Sequence, residues 1–254
     1  MKGPSAADAL RPVARTLRML GVSDVGELAE FVKLVRIEHG IVRGDMLLSS
    51  AHTGKHLTML LGGLACTFRR QEDGTRQIYT FRHPGDFIDL HRYVFPQADE
   101  QHLEVEALAT CSIATIDNQS ADQIVEHHPA FGRALWLAAM IEVNIARTRL
   151  AAMRWPAMRR VAHLLCEQLA RRLSYGIDNG VIPISQIEVA DATGLSTVHT
   201  NRVFQDLRKL GVLAMKRQTV EVVNKQRLQE LAEFDARYLS ADEHLSRWSV
   251  QSVR

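Results

Sequence analysis

At 254 residues the chain can hold two domains of about 100–150 residues or one large domain, and its 46% hydrophobic and 24% charged side chains exclude a disordered, collagen-like or fibrous protein. The net charge of +2 is unevenly spread: residues 154–225 hold eleven Lys/Arg against six Asp/Glu, whereas residues 1–153 hold sixteen against eighteen. A basic segment in an otherwise slightly acidic chain indicates either a local polyanion contact or a solvated helical face.

The first residues, Met1 to Ser5, are followed by Asp8, Arg11 and Arg15 rather than by an apolar run, so no secretory signal is expected. The longest uncharged apolar stretch, Leu57 to Phe68, carries two glycines and is shorter than the roughly 20 residues of a spanning helix. A cytoplasmic protein with no membrane contact is expected. Cys66, Cys111 and Cys166 are far apart and odd in number, which gives neither a disulfide framework nor a metal spacing; structural thiols are expected.

Val25 to Val35 is apolar at helical spacing and predicts one or two short helices against a sheet. From Ile41 to Ile116 strand-length apolar segments are broken by Arg43-Gly44-Asp45, Gly62-Gly63, Asp73-Gly74 and Pro84-Gly85-Asp86, a pattern of short antiparallel strands in a sandwich or barrel. Phe131 to Met153 then reads as one long helix ending before Trp155-Pro156. Along it Ala134, Ala138, Ile141, Ile145, Thr148 and Ala152 alternate spacings of four and three. The stripe is a seam for a second chain or packs on the chain's own sheet; a homodimer joined along it is expected. Past Pro156 come a helix to about Ser174, a polar loop at Gly176 to Gly180, and a compact helical segment.

The stretch from Ser185 to Arg202 has the parts of a helix-turn-helix. Ala190 is small enough for a close crossing, Gly194 suits the turn, and Ser196 can cap the next helix. Thr200, Val203, Leu207 and Leu210 are expected to turn inward, leaving Thr197, Val198, Asn201, Arg202 and Gln205 outward, where such a helix presents side chains to the major groove. After Gly211, two short apolar runs flank Lys216-Arg217-Gln218, a hairpin with a basic tip. The segment is read as a winged helix-turn-helix that binds double-stranded DNA.

In that order the pieces resemble the Crp/Fnr family of bacterial transcription regulators over about Val35 to Leu231: the glycine-punctuated β region, Pro84-Gly85-Asp86-Phe87, the long helix, Arg159-Arg160-Val161-Ala162 with Leu165, and the helix-turn-helix. Gly85 to His91 and the ending Leu231 to Leu239 are similar to a branch found in soil and host-associated alphaproteobacteria. The resemblance implies an α+β fold: an N-terminal cyclic-nucleotide-binding-like β-roll (jelly roll), a long dimerisation helix and a C-terminal winged helix-turn-helix. The expected divisions are 1–120 for the N-terminal helices and β-roll, 121–155 for the dimerisation helix, 156–231 for the DNA-binding domain and 232–254 for a tail. It further implies a homodimer on a near-palindromic operator, with RNA polymerase as a partner. A ligand-sensing adaptor with a degenerate helix-turn-helix is the alternative.

The chain departs from the family pattern where cyclic-nucleotide-binding members carry a glycine-glutamate pair and then an arginine that grips the phosphate. Asp89 and Leu90 replace the pair, and Gln101-His102 fall at the grip, so no guanidinium clamps a cyclic phosphate. Arg92 is the nearest substitute in sequence. The cysteine cluster of the oxygen-sensing branch is missing from residues 1–65. His83, His91, His102, His127 and His128 lack convincing ligand spacing, no H-x-H occurs, and there is no glycine-rich phosphate loop or G-x-S-x-G elbow. No catalytic site, metal or cofactor is expected, and the effector is left open. In DNA readout Arg202 is the expected guanine reader, Thr197 and Val198 suit a thymine methyl, and Ser196, His199, Lys216 and Arg217 are expected on phosphates.

Overall fold

The structure, a computed structural model, describes residues 9–48, 55–88, 90–95, 103–216 and 218–240. By its internal contacts the chain forms two compact units, one gathering the residues up to Ala65 with Arg82–Val143, the other Cys66–Phe81 with Asn144–Tyr238.

Among the described residues of the first unit, two helices precede the sheet. Helix α1 (Arg11–Met19) has proline in its first turn and buries Val13 and Leu17. Helix α2 (Val25–Leu34) is capped by Asp24, whose carboxylate accepts from Gly26 N–H at 2.6 Å and Glu27 N–H at 3.0 Å. Strands β1 (Arg36–Ile41), β2 (Met46–Leu48) and β3 (His56–Gly62) follow, then the hairpin β4 (Ala65–Arg70) and β5 (Arg76–Arg82), β6 (Phe87–Ile88), the short helix α3 (Leu90–Val94), β7 (Glu104–Ala107) and β8 (Cys111–Asp117). One antiparallel sheet has the order β1-β8-β3-β6, and β2 pairs antiparallel with β7. The register of β1 on β8 slips between His39 and Ile41, where Gly40 takes a positive φ of 80°.

Period-two alternation gives that sheet two apolar faces. Leu57, Met59, Leu61, Ala114 and Ile116 pack with Val13, Leu17, Phe31 and Phe131 of the helical layer. Leu60, Ile88, Cys111 and Ile113 pack with Ile41, Leu47, Val105 and Ala107 on the other side. The β region is as expected, except that α3 interrupts it and α1 precedes the helix foreseen at Val25. Helix α4 (Asn118–His127), capped by Asp117, leads into the long helix α5 (Pro129–Ala152).

Besides the hairpin β4–β5 and the end of α5, the second unit contains α6 (Ala157–Ser174), β9 (Val181–Ile182), α7 (Gln186–Thr193), α8 (Thr197–Lys209), β10 (Leu213–Lys216), β11 (Thr219–Val222), α9 (Lys225–Ala232) and most of a 3-10 turn at Ala236–Leu239. Its sheet runs β10-β11-β9, and Val161, Leu165, Ile182, Val189, Phe204, Leu207, Val220 and Leu228 form its buried interior.

The compact units do not follow the expected divisions at 120, 155 and 231. Hairpin β4–β5 groups with the second unit because Arg76 and Gln77 bond to Asp191, Arg149 donates to the Tyr79 carbonyl at 2.7 Å, and Arg171 donates to the Phe81 carbonyl at 2.7 Å. Residues 232–238 also belong there: Phe234 and Tyr238 pack their rings against His163 of α6. Stretches cut from contiguous sequence cannot express either association.

Candidate nucleic-acid interface

Helix α7 opens on a capping box in which Ser185 Oγ accepts from Glu188 N–H at 3.3 Å and the Glu188 carboxylate accepts from Ser185 N–H at 2.6 Å. It ends at Gly194, left-handed with φ 66°, whose N–H donates to the Ala190 carbonyl. Ser196 then caps α8, its hydroxyl accepting from His199 N–H at 3.2 Å. The local sequence thus sets both helix boundaries and the sharp turn between them.

Helix α8 buries Thr200, Val203, Phe204 and Leu207 and exposes Ser196, Thr197, Val198, His199, Asn201, Arg202 and Gln205. The expected outward face is therefore one continuous solvent-facing surface at the N-terminal end of the helix. Leu210 is a correction: it was expected inside but is 49% exposed. Leu210 closes the helix as its C-cap, its N–H still bonded to the Asp206 carbonyl at 3.0 Å, and the chain turns away at Gly211 with φ 68°. Phe204 fills the interior instead. Its signal was present in the sequence, since 200, 203, 204 and 207 complete a three-and-four spaced stripe.

Strands β10 and β11 pair from Leu213↔Val222 to Lys216↔Thr219, which builds the wing. The side chain of Lys216 and the whole of Arg217 lie outside the described residues.

The residues of the expected dimer seam are largely covered within the chain itself. Ala134 is 0% and Ile145 3% exposed, Ala152 is buried, and Ala138 and Ile141 pack partly against the chain's own core. Thr148 is half-buried. Small side chains let α5 lie close to its own fold, which accounts for that stripe without a partner. The opposite face carries Trp136, 57% exposed, with Met140, Arg147 and Leu150, the last 70% exposed, and half-buried Val143 between them. These five positions also alternate four and three residues.

In the β-roll, Gln101, His102 and Asp89 lie outside the described residues. Leu90 is buried in the apolar cluster, and the buried Arg92 donates through Nη2 to the Leu103 carbonyl at 2.6 Å. His127 Nδ1 lies 2.7 Å from the Gln123 carbonyl and His128 Nε2 lies 2.7 Å from the Glu30 carboxylate. Among the described residues no helix is long and apolar enough to cross a membrane.

Residues 159–231 match the family described as the Crp-like helix-turn-helix domain, and residues 39–128 match the cyclic nucleotide-binding domain. The two matches stand in the order and at the positions of the winged unit and the β region. The chain belongs to the Crp/Fnr family. It is 24% identical over 221 residues to the nitrogen fixation regulation protein FixK of Bradyrhizobium diazoefficiens, which covers 86% of this chain and 91% of that protein. A probable transcriptional activator of Rhizobium leguminosarum bv. viciae is 24% identical over 204 residues, 77% of this chain and 80% of the relative. The solved structure of FixK2 from Bradyrhizobium japonicum superposes with a TM-score of 0.67 at 21% identity, over 80% of this chain and 99% of that one, and shares the fold. Like other Crp/Fnr proteins, the chain is a DNA-binding transcription regulator.

Proposed function

We propose that this Crp/Fnr regulator works in the cytoplasm as a homodimer that reads a near-palindromic operator with α8, engages RNA polymerase, and neither binds nor needs a cyclic nucleotide. The observation that carries the reading is the two-faced recognition helix: Thr200, Val203, Phe204 and Leu207 anchor it, while Thr197, Val198, Asn201, Arg202 and Gln205 stay solvent-facing beyond the Ser196 cap. Arg202 reads a guanine through its paired donors, Thr197 and Val198 meet a thymine methyl, and Ser196, His199, Lys216 and Arg217 hold phosphates.

Dimerisation uses the exposed face of Trp136, Met140, Val143, Arg147 and Leu150. An apolar stripe of this kind on a helix favours a partner of the same sequence, and two-fold pairing places two recognition helices on half-sites about one DNA turn apart. Independence from cyclic nucleotides is supported by Leu90, an apolar residue where binding members carry an acid, and by Arg92, whose guanidinium is engaged with the Leu103 carbonyl.

The test is operator selection from random duplex DNA followed by quantitative gel shifts. Arg202→Ala is expected to cost about 1–3 kcal/mol on the selected operator and to relax one base position. Equal affinity of Arg202→Ala and wild type for selected and scrambled DNA would remove α8 from readout. Calorimetric titration with cyclic AMP and cyclic GMP is expected to show no micromolar binding, and a nucleotide-dependent gain in operator affinity overturns that part.

A further inference from the structure

The first helix of the reading pair is held at its C-terminal end by side chains from elsewhere in its unit. The last carbonyls of any helix have no partner within it. In α7 the Ala190 carbonyl accepts from Gly194 N–H and from Leu195 N–H at 3.3 Å. The Asp191 carbonyl accepts from Gln77 Nε2 of β5 at 2.7 Å, and the Thr193 carbonyl accepts from Arg160 Nη1 of α6 at 2.9 Å. Arg160 also donates through Nη2 to the Met153 carbonyl at 2.6 Å and to the Trp155 carbonyl at 3.2 Å, just past the end of α5. One guanidinium thus joins the ends of two helices, where a cation meets the negative end of each dipole. The Asp191 carboxylate in turn accepts from Arg76 Nε at 2.9 Å, and the Arg76 guanidinium lies 5.2 Å from the centre of the Phe68 ring. Arg76 and Asp191 are both largely shielded from solvent, so water screens their attraction only in part.

Gripped at Asp191 and Thr193 from two elements, α7 cannot roll about its axis or tilt its last turn without giving up these bonds. Only Gly194 and Leu195 separate that turn from Ser196, the cap of α8. The direction in which α7 ends therefore sets the direction in which α8 begins, and the base-facing residues stand in that first stretch. Contacts to base edges demand close alignment, whereas attraction to phosphates tolerates misplacement.

We propose that Arg76, Gln77 and Arg160 are positioning residues for base readout, acting on DNA only through α7. The proposal rests on the operator reading given above. It separates two quantities that a merely structural role would move together: affinity for the cognate operator and affinity for unrelated DNA.

The experiment uses the full-length protein, an operator selected by the wild type from random duplex DNA, and a scrambled duplex, with fluorescence anisotropy over a range of salt. Gln77→Ala and Arg76→Glu are each expected to lower the ratio of cognate to scrambled affinity about five- to tenfold, with scrambled affinity and salt slope unchanged. Adding Asp191→Arg to Arg76→Glu is expected to recover most of the ratio, as is Arg76→Lys in place of Arg76→Glu. Thermal melts monitor folding, and Arg76→Gln replaces the reversal if that variant melts early. The proposal is overturned if the ratio holds in the single variants, if both affinities fall together, or if the exchanged pair recovers nothing. A wild type that selects no operator instead overturns the operator reading, and this proposal with it.

Discussion

The Tyr238 hydroxyl donates to the Glu167 carboxylate at 3.1 Å across 71 residues of chain. Glu167 is buried in α6, and its other oxygen accepts from Arg149 Nη2 at 2.7 Å near the end of α5. Around the pair, His163 stacks on Tyr238 with ring centres 5.9 Å apart and meets Phe234 and Trp155 edge-on. Burial alone would push the Glu167 carboxyl up, but the charges of Arg149 and Arg171 and the hydrogen bonds from Arg149 and Tyr238 outweigh it and hold the group below the usual carboxylate range. Burial and Glu167 together push the Tyr238 phenol up.

Removing the acid should therefore be far costlier than removing its hydroxyl partner. Glu167→Gln leaves the Arg149 guanidinium without its counter-charge and is expected to destabilise by about 3 kcal/mol near neutral pH, against about 1–2 kcal/mol for Tyr238→Phe. A depressed carboxyl contributes stability that is present above its unfolded value of about 4.3 and is lost as pH falls through the folded value. The deficit of Glu167→Gln should accordingly shrink on acidification, which urea melts at a series of pH values will show.

Two histidines should give opposite pH signatures. Burial pushes the His163 imidazole down, with Arg149 and Arg159 adding to the effect and Glu167 opposing it. The hydrogen bond to Glu30 raises His128, aided by the charges of Glu30 and Glu27. His163 contributes stability present above about pH 6.5 and lost as pH falls through its folded value, whereas the contribution of His128 is present below about pH 6.5 and lost as pH rises through its own. His163→Phe should flatten the acid side of the Tm profile, and His128→Asn the neutral side.

The two stripes of α5 make a paired prediction. Trp136→Glu with Met140→Glu alters only the exposed face and should yield folded monomers with a large loss of operator affinity. Ile145→Asp places a charge in the chain's own core and should cost several kcal/mol, lowering Tm before any change in association. Sedimentation together with thermal melts separates these outcomes; a dimeric Trp136→Glu, Met140→Glu protein would exclude that face.

Gly194 is open around its missing Cβ but left-handed, so substitutions there act through backbone strain alone. Gly194→Val is expected to cost about 1–3 kcal/mol and Gly194→Asn less, because asparagine tolerates that region better. Equal melting of the two variants would mean that the turn relaxes.

What the sequence made legible was local. The cap at Ser196, the glycine at 194 and the glycine-broken strand-length segments each write their signal within a few residues, so the winged unit and the β region could be read directly. The seam on α5 could not be assigned, because both faces satisfy a four-and-three spacing and no local rule says which one the chain's own core will claim. Side-chain size was the overlooked clue: the buried stripe includes Ala134, Ala138 and Ala152, while the outer one carries Trp136, Met140 and Leu150. Gln77 with Asp191 and Glu167 with Tyr238 lie 114 and 71 residues apart, and nothing near either partner announces the other.

The docking of Phe234 and Tyr238 on α6 changes what a late stop codon means. A frame closing just after Ala232 spares the whole of the proposed DNA face, yet it strips two rings from His163 and takes the hydroxyl donor from a carboxylate in the interior. Genetically such an allele would present as loss of the whole protein, through turnover of a destabilised chain, rather than as a regulator that folds but misreads its sites.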